Sequence, residues 1–355
     1  GKGHETIQEI GKKKIFFSDK KIILNAIKKK NLTLSNNLKV NIINELSGEK
    51  KISPKVSLKH ARINSQEITK NDIFFAIKGK KNDGNKFISE AFKKKASISI
   101  VNIINKNNNK KYQVKVNDTL EFLTKSSKIY RQNLNTNIIA ITGSCGKTTL
   151  KELLGNSLKQ VSKVGISPKS YNNKYGVPLS LFNLNQKDDY GVLEIGMDKK
   201  GEIDYLSKIV QPDVSIITNI NYAHAKNFRN LKQIALAKAE IINNTKDNGF
   251  IILNADDNFF TLHKKIVNKK SLKVLSFGID NKNSNIKLIN IKKVSNKFKV
   301  AIKVNNLKTY FFISNDFQNN ILNILAALTV MSIFLDVSKL SRNIFMGFKT
   351  PVGRG

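Results

Sequence analysis

One eight-residue segment limits the fold of this chain more than any other feature. It reads TGSCGKTT over residues 142–149, and it lies between an apolar run at 138–142 and a predicted helix at 148–159. A glycine-containing turn that joins a buried strand to a helix places backbone N–H groups and a helix N-terminus where they bind phosphate. The segment therefore predicts a nucleotide-binding loop.

The residue types of this loop suit separate tasks. Gly143 and Gly146 allow N–H groups to close on phosphate oxygens, Lys147 supplies a cation, and Thr148 supplies a hydroxyl for Mg²⁺. The usual spacing of phosphate loops places a glycine at position 141, where this chain has Ile141. The alternative is a glycine turn with no ligand. The predicted ATP contacts in the loop are Gly143, Ser144, Cys145, Gly146, Lys147, Thr148 and Thr149.

Apolar runs alternate with amphipathic stretches from residue 138 onward, which favours an α/β fold with a parallel sheet covered by helices. Predicted strands lie at 190–195, 214–218 and 250–253, with helices at 201–210 and 231–243. Residues 286–313 alternate apolar and polar side chains and predict antiparallel strands at the sheet edge, before a buried helix at 318–335. Residues 32–135 predict a smaller α/β unit, with strands at 72–77 and 97–103 and a helix at 87–95.

The formal charge of +36 would favour a nucleic-acid partner, but the basic residues are mostly lysine scattered among Asn and Ile. Nucleic-acid readers use arginine heavily, so we expect no nucleic-acid partner. No apolar stretch is long enough to span a bilayer, and no charged start followed by an apolar run marks a secretory signal. With Cys145 as the single cysteine, these features predict a cytoplasmic protein, and Cys145 itself is interpreted as a small loop residue.

Further motifs resemble those of the Mur ligase family, in which the shortened TGxxGKT loop is typical. The segment 172–179 is similar to the NNxxGVPL motif of those members that add D-alanyl-D-alanine to UDP-N-acetylmuramoyl-tripeptide. The other matching segments lie at 193–197 with 201–203, 218–224, 237–241, 253–257 and 352–355.

The resemblance implies roles for individual residues. Glu194 and His224 would bind Mg²⁺ together with Thr148, and Lys238 would be carbamylated so that it also binds the metal. The implied catalytic residues are Lys147, Glu194, His224 and Lys238, and Asn254 and Arg354 would bind ATP. Without the resemblance, His224 would be a structural histidine and Lys238 a solvated helix lysine. Position 319 departs from the family, which has a histidine where this chain has an asparagine.

The N-terminal unit at 32–135 is similar to the UDP-substrate-binding domain of these ligases, although Asn64 and Gln66 replace the usual flanks of Ser65. The same residues could simply form turns. The residues expected to contact the UDP substrate are Ser65, Lys78, Gly79, Asp83, Asn172 and Asn173.

The two ends of the chain raise separate expectations. Residues 1–28 resemble the C-terminal tail of the Mur ligase that adds diaminopimelate, which suggests a fusion to that preceding enzyme or a read-through. Residues 136–355 would be the central ATP-binding domain, and the family's third domain is expected after residue 355. We therefore expect these 355 residues alone to be inactive.

The implied reaction is ADP-forming amide synthesis through an acyl phosphate in peptidoglycan precursor synthesis, with ATP and Mg²⁺ as cofactors. Two alternatives remain. The first is another ligase of this type, such as the diaminopimelate-adding enzyme or folylpolyglutamate synthetase. The second is a nucleotide-binding regulator without ligase activity.

Overall fold

A computed structural model gives the fold over residues 7–10, 13–16, 37–48, 52–79, 82–222, 227–281, 283–314, 317 and 320–349. It divides into two compact units, Gly1–Asn135 and Thr136–Gly355. Within the first unit, strands β1 (Ile7–Ile10) and β2 (Lys13–Phe16) form an antiparallel pair. Most of residues 1–28, including the GKGHE segment, lies outside the described residues.

A four-stranded parallel sheet forms the centre of the first unit. Its order is β3-β4-β5-β6, and the residues of β4 and β5 are fully buried. Apolar side chains from β4, from β5 and from the helix between them in the chain make a core that includes Phe74, Ile88 and Val101. The strands are β3 (Ala61–Arg62), β4 (Ile73–Phe75), β5 (Ile98–Val101) and β6 (Gln113–Lys115), and the helices are α1 (Leu38–Ser47), α2 (Ile88–Lys93) and α3 (Thr119–Gln132).

The second unit contains a nine-stranded sheet in the order β15-β14-β13-β12-β11-β10-β7-β9-β8. The seven strands from β13 to β8 are parallel, and at one edge β14 runs antiparallel to both of its neighbours, β13 and β15. The strands are β7 (Asn137–Thr142), β8 (Val164–Ile166), β9 (Tyr190–Glu194), β10 (Val214–Ile217), β11 (Phe250–Asn254), β12 (Lys273–Gly278), β13 (Ile286–Val294), β14 (Lys297–Val304) and β15 (Leu307–Ser314).

Helices cover both faces of the parallel strands, which is why β7 is buried at nearly every position. The helices are α4 (Lys147–Lys159), α5 (Gly176–Phe182), α6 (Glu202–Val210), α7 (Leu231–Ala239), α8 (Phe260–Val267) and α9 (Ile321–Phe334). The apolar helix α9 packs with α4 in the main hydrophobic core, where Leu154 and Leu325 are fully buried. The α/β class and the antiparallel edge are as predicted from the sequence.

Several helix boundaries differ from the prediction by one to four residues. Helix α4 begins at Lys147, one residue early, because Gly146 adopts a left-handed conformation and serves as the N-cap. The predicted helix at 231–243 ends at Ala239 and continues as a 3₁₀ turn, Glu240–Asn244. There the Glu240 carboxylate accepts hydrogen bonds from the N–H groups of Gly201 and Asp204, and so holds this turn against the start of α6.

Candidate active site

The loop at 143–146 connects β7 to α4 and requires its two glycines. Gly143 has φ 147°, and a Cβ at this position would lie 1.9 Å from Oγ1 of Thr218. Gly146 has φ 78°, and a Cβ there would lie 3.1 Å from Oδ1 of Asn323. Both conformations are unfavourable for other residues, so the glycines allow the backbone to turn tightly at the helix N-terminus. This is the geometry predicted for a phosphate loop.

Two lysine ammonium groups meet at one carbonyl oxygen of this loop. Lys147 Nζ donates to Gly143 O at 2.9 Å and to Ser144 O at 3.2 Å. Lys238, from α7, also donates to Gly143 O at 2.9 Å. Burial, together with the nearby charge of Lys147, lowers the pKa of Lys238 to about 7. The loop therefore lies in a region of positive potential suited to a polyphosphate.

Glu194 lies at the carboxyl end of β9, beside β7 and the phosphate loop. Its Oε2 accepts a hydrogen bond from Thr148 Oγ1 at 2.6 Å, and its Oε1 accepts one from Asn172 Nδ2 at 2.7 Å. The side chain is buried, and among the described residues its carboxylate contacts only neutral donors. Burying a charged carboxylate costs free energy, and a nearby cation reduces that cost. Together with the Thr148 hydroxyl it offers the hard oxygen ligands that Mg²⁺ prefers, so these residues fit the metal.

Asn172 and Asn173 lie in the second unit, close to this carboxylate. Gly196 allows the approach of Asn172, since a Cβ on Gly196 would lie 2.9 Å from the Asn172 side chain. The side chain of Asn173 caps the turn before α5 by accepting hydrogen bonds from Tyr175 N and Gly176 N. Their contact with a UDP substrate stays a prediction, while the direct neighbour of Asn172 is Glu194.

The loop at 218–221 contacts Ser144 and Cys145 directly. Ser144 N and Cys145 N both donate to Asn219, the first to its main-chain oxygen at 2.9 Å and the second to Oδ1 at 3.0 Å. On its other side, this loop is held by Asp257, whose Oδ2 accepts a hydrogen bond from Ile220 N at 2.7 Å. The predicted phosphate contacts of Ser144 and Cys145 therefore compete with bonds inside the protein.

Asn254 is buried at the end of β11, and its Oδ1 accepts a hydrogen bond from Asp256 N at 3.0 Å. Its predicted role near adenine stays a prediction. His224, Arg354 and position 319 lie outside the described residues. Within the described residues, no group of three His, Cys, Asp or Glu side chains is placed to hold a metal ion, and no helix is long and apolar enough to span a bilayer.

In the first unit, the predicted UDP contacts follow the carboxyl ends of the adjacent strands β3 and β4. Ser65 is buried and donates its hydroxyl to Glu90 Oε2 at 2.7 Å. Lys78 pairs with Asp83 across a short antiparallel bridge, and Gly79 N donates to Asn82 O at 2.8 Å. Hydrogen bonds from Asn85 lower the pKa of Asp83. The turn is well formed, and its ligand contacts stay predictions.

Comparison with protein families gives a match to the Mur ligase middle domain. The match covers residues 141–331, which is more than half of the 355 residues. This chain belongs to the Mur ligase family.

Individual Mur ligases are similar along most of this chain. One is the UDP-N-acetylmuramoyl-tripeptide--D-alanyl-D-alanine ligase of Rickettsia prowazekii, 33% identical over 81% of this chain and 64% of the relative's length. Among solved structures, MurF from Acinetobacter baumannii has a TM-score of 0.75 and 26% identity, covering 89% of this chain and 69% of its own. MurF from Thermotoga maritima in complex with ADP has a TM-score of 0.70 and 29% identity, with coverages of 83% and 67%.

Two further residues lie at the site, although the sequence analysis assigned them no role. The fully buried Lys151 donates from α4 to the main-chain oxygens of Ser167 and Lys169 and pairs with Glu152 at 3.0 Å. It thereby joins the phosphate-loop helix to the segment that leads to Asn172. Asn323 lies against Gly146. Nothing in the sequence distinguishes Lys151 from the other lysines. The sequence places Asn323 near the start of a predicted helix, but it does not imply the contact with Gly146.

Proposed function

We propose that this chain carries the ATP site of an ADP-forming ligase that joins D-alanyl-D-alanine to UDP-N-acetylmuramoyl-tripeptide. The observation that carries the proposal is the meeting of Lys147, Thr148 and Glu194 at one glycine loop. The relative from Rickettsia prowazekii has this activity in its name, and the Thermotoga maritima structure contains ADP. This chain spans about 64% of the length of the Rickettsia protein.

The reaction needs neutralisation of charge more than a protein nucleophile. A carboxylate oxygen of the tripeptide attacks the γ-phosphorus of ATP, and ADP leaves. The amine nitrogen of the dipeptide then attacks the acyl carbon, phosphate leaves with the electron pair of the C–O bond, and the nitrogen loses a proton. Lys147 would bind the phosphates, with Arg354 as a further cation, while the N–H groups at the start of α4 orient them.

Thr148 and Glu194 would hold Mg²⁺, and we propose His224 as a further residue at the metal or the γ-phosphate. Such a cation neutralises charge on the transferring phosphoryl group. Asn172 holds the Glu194 carboxylate through a 2.7 Å hydrogen bond, which fixes the direction of its oxygens. We propose Asn254 as the residue near adenine.

Carbamylation of Lys238 is part of the proposal. Only an unprotonated amine attacks CO₂, and a pKa of about 7 leaves roughly half of the side chain neutral at neutral pH. The amine nitrogen bonds to the carbon of CO₂ and releases a proton, which yields an anionic carbamate. The anion would end the repulsion between Lys238 and Lys147 and would supply an oxygen ligand for Mg²⁺.

The carbamate is tested in the complete ligase with Lys238→Ala. We expect activity to fall and to recover in part when short-chain carboxylic acids are added, since they can occupy the vacated position. Full activity of the variant in bicarbonate-free buffer would contradict the carbamate.

The first unit is proposed as the binding domain for the UDP substrate, within residues 32–135, and residues 136–355 as the ATP domain. Ser65 follows β3, and the turn formed by Lys78, Gly79 and Asp83 follows β4; these are adjacent parallel strands, at whose carboxyl ends ligands often bind. The contacts of Asn172 and Asn173 with the UDP substrate remain separate proposals for the second unit. The substrates point to a cytoplasmic enzyme with no nucleic-acid partner.

Calorimetry and mass spectrometry on the 355-residue polypeptide test the function. We expect binding of MgADP and of UDP-N-acetylmuramoyl-tripeptide. We expect no amide product, because the relatives are longer and correct placement of an amine contributes about 7–11 kcal/mol of barrier lowering. A regulator without ligase activity would bind MgADP but not the UDP precursor. Amide formed by these residues alone would show that the amine site lies within them.

A further inference from the structure

Two loops at the carboxyl edge of the second sheet hold each other through reciprocal hydrogen bonds. The Asn219 carboxamide accepts from Cys145 N at 3.0 Å and donates to Cys145 O at 3.3 Å. In the opposite direction, Ser144 Oγ donates to Asn221 O and accepts from Asn221 N, both at 2.8 Å. Each loop therefore supplies one side chain that pairs with both main-chain groups of a residue in the other loop. We name this arrangement the loop lock.

Main-chain contacts reinforce the loop lock. Ser144 N donates to Asn219 O at 2.9 Å, and Thr218 N donates to Thr142 O at 3.0 Å, which extends the pairing of β7 with β10. Thr218 Oγ1 donates to Cys145 O at 2.8 Å. The N–H groups of Ser144 and Cys145 are thus both committed to Asn219.

We propose that Asn219 and Ser144 are positioning residues that fix the first half of the phosphate loop in the conformation that binds nucleotide. The inference rests on the proposed nucleotide site. The observation that carries it is the set of four side-chain hydrogen bonds by which Asn219 and Ser144 join residues 144 and 145 to residues 219 and 221.

The loop lock also gives a physical account of the missing glycine at position 141. The usual phosphate loop wraps its ligand with residues on both sides of the turn, whereas here the preceding residue, Ile141, is fully buried in β7. A short loop with glycines at 143 and 146 has high conformational freedom when it is not held. Asn219 from outside the loop and Ser144 from within it restrain the backbone before any nucleotide binds.

The experiment compares MgADP affinity with folding stability in the full chain. Asn219→Ala removes two side-chain bonds to Cys145, and Ser144→Ala removes the reciprocal pair to Asn221. The matched control is Asn285→Ala. Asn285 Oδ1 accepts from Ser276 N at 2.9 Å and from Ser276 Oγ at 3.1 Å, so this Asn–Ser pair resembles the lock but joins β12 to the residue that precedes β13.

We expect all three variants to melt at lower temperatures than wild type, and only two of them to lose nucleotide affinity. Calorimetry below the melting transitions should show MgADP binding weakened by roughly tenfold in Asn219→Ala and in Ser144→Ala, since each loses two hydrogen bonds that hold the loop. Asn285→Ala should keep the wild-type dissociation constant. The double variant of Asn219 and Ser144 should lose less than the product of the single effects, because the two side chains act as one unit.

Wild-type affinity in Asn219→Ala and Ser144→Ala would overturn the loop lock while leaving the nucleotide site intact. If Asn285→Ala loses the same MgADP affinity, the loss in the other two variants comes from general destabilisation, and this outcome would also overturn the loop lock. If Asn219→Ala does not fold, the MgADP affinity of Ser144→Ala alone tests the loop lock, because this variant removes one hydroxyl from the other side of the same contact. Absence of MgADP binding in the wild type would instead overturn the proposed nucleotide site, and the lock's role with it.

Discussion

The two candidate binding loops of this chain are held in different ways. In the first unit, the turn around Asp83 is fixed by bonds to a residue two positions away, Asn85. In the second unit, the phosphate loop is fixed by partners 46 to 95 residues away, such as Glu194 on Thr148 and Lys238 on Gly143. The Asp83 side chain is therefore held by its neighbours in the sequence, although Asn85 also accepts a hydrogen bond from Asn102 N at 3.3 Å. The phosphate loop is held by the sheet that brings distant segments together.

The parallel sheet is the reason for this difference. Strands β7, β9 and β10 are neighbours, so the residues at their carboxyl ends meet at one edge although they are far apart in the chain. A change in the phosphate loop should consequently affect several segments, whereas a change in the turn of the first unit should stay local.

The largest effect is expected for Lys147→Ala. The variant loses the ammonium group beside the loop, so MgADP binding should weaken by roughly a hundredfold or more. Calorimetry is the measurement, and Lys159→Ala, an exposed lysine at the end of the same helix, is the control. Equal affinities in Lys147→Ala and wild type would remove the phosphate-loop assignment and with it the contrast between the two loops.

Lys151→Met tests the long-range links through stability. The main-chain oxygens of Ser167 and Lys169 would lose their buried donor, and we expect a loss of about 2–4 kcal/mol in the free energy of unfolding. Urea denaturation checks this, with Lys159→Met as the matched variant on the exposed side of α4. A change below about 0.5 kcal/mol, the usual size of a surface substitution, would show that this link does not hold the two segments together.

Lys238→Met should act in the opposite direction. The folded pKa of Lys238 is lowered from 10.5 to about 7, so the charged side chain destabilises the fold fully below about pH 7. This penalty fades as pH rises toward 10.5, where the unfolded side chain also loses its proton. We expect the variant to be up to about 5 kcal/mol more stable than wild type near pH 6, and the difference to vanish near pH 10.5.

The measurement is denaturation at a series of pH values in buffer free of CO₂, which keeps the lysine uncarbamylated. A difference that does not change with pH would mean that Lys238 is not held with a lowered pKa. If the variant is less stable than wild type at pH 6, the hydrogen bond that Lys238 donates to Gly143 O stabilises the fold more than burial of the charge destabilises it.

The smallest effect is expected for Asp83→Ala in the first unit. Asp83 caps the 3₁₀ turn Gly84–Phe87 through Asn85 N, so its loss should cost about 1 kcal/mol or less. Since its pKa is lowered in the fold, its contribution is present above the unfolded pKa and is lost as pH falls through the folded pKa. Thermal melting at pH 7 and pH 3 checks this, and MgADP affinity should not change. A shifted MgADP affinity would contradict the local character of the turn.

The sequence by itself determined the fold class, the glycine loop at 143–146 and the strands beside it. Apolar runs bounded by glycine and polar turns are local signals, and the glycines at 143 and 146 have conformations that few other residues adopt. The antiparallel edge at 286–313 was also predictable, because alternation of apolar and polar residues is a property of the strand itself. Local patterns were sufficient wherever the structure depends on neighbours in the chain.

Only the tertiary structure decided which side chains meet at the loop. Asn172, assigned from the sequence to the UDP substrate, lies on Glu194, and Lys151 differs from the other lysines only in the carbonyl groups that fold around it. Asn219 was part of a recognised segment, but its pairing with Cys145 depends on β10 lying beside β7. These contacts join residues far apart in sequence, and their geometry arises only when the parallel sheet places the ends of its strands side by side.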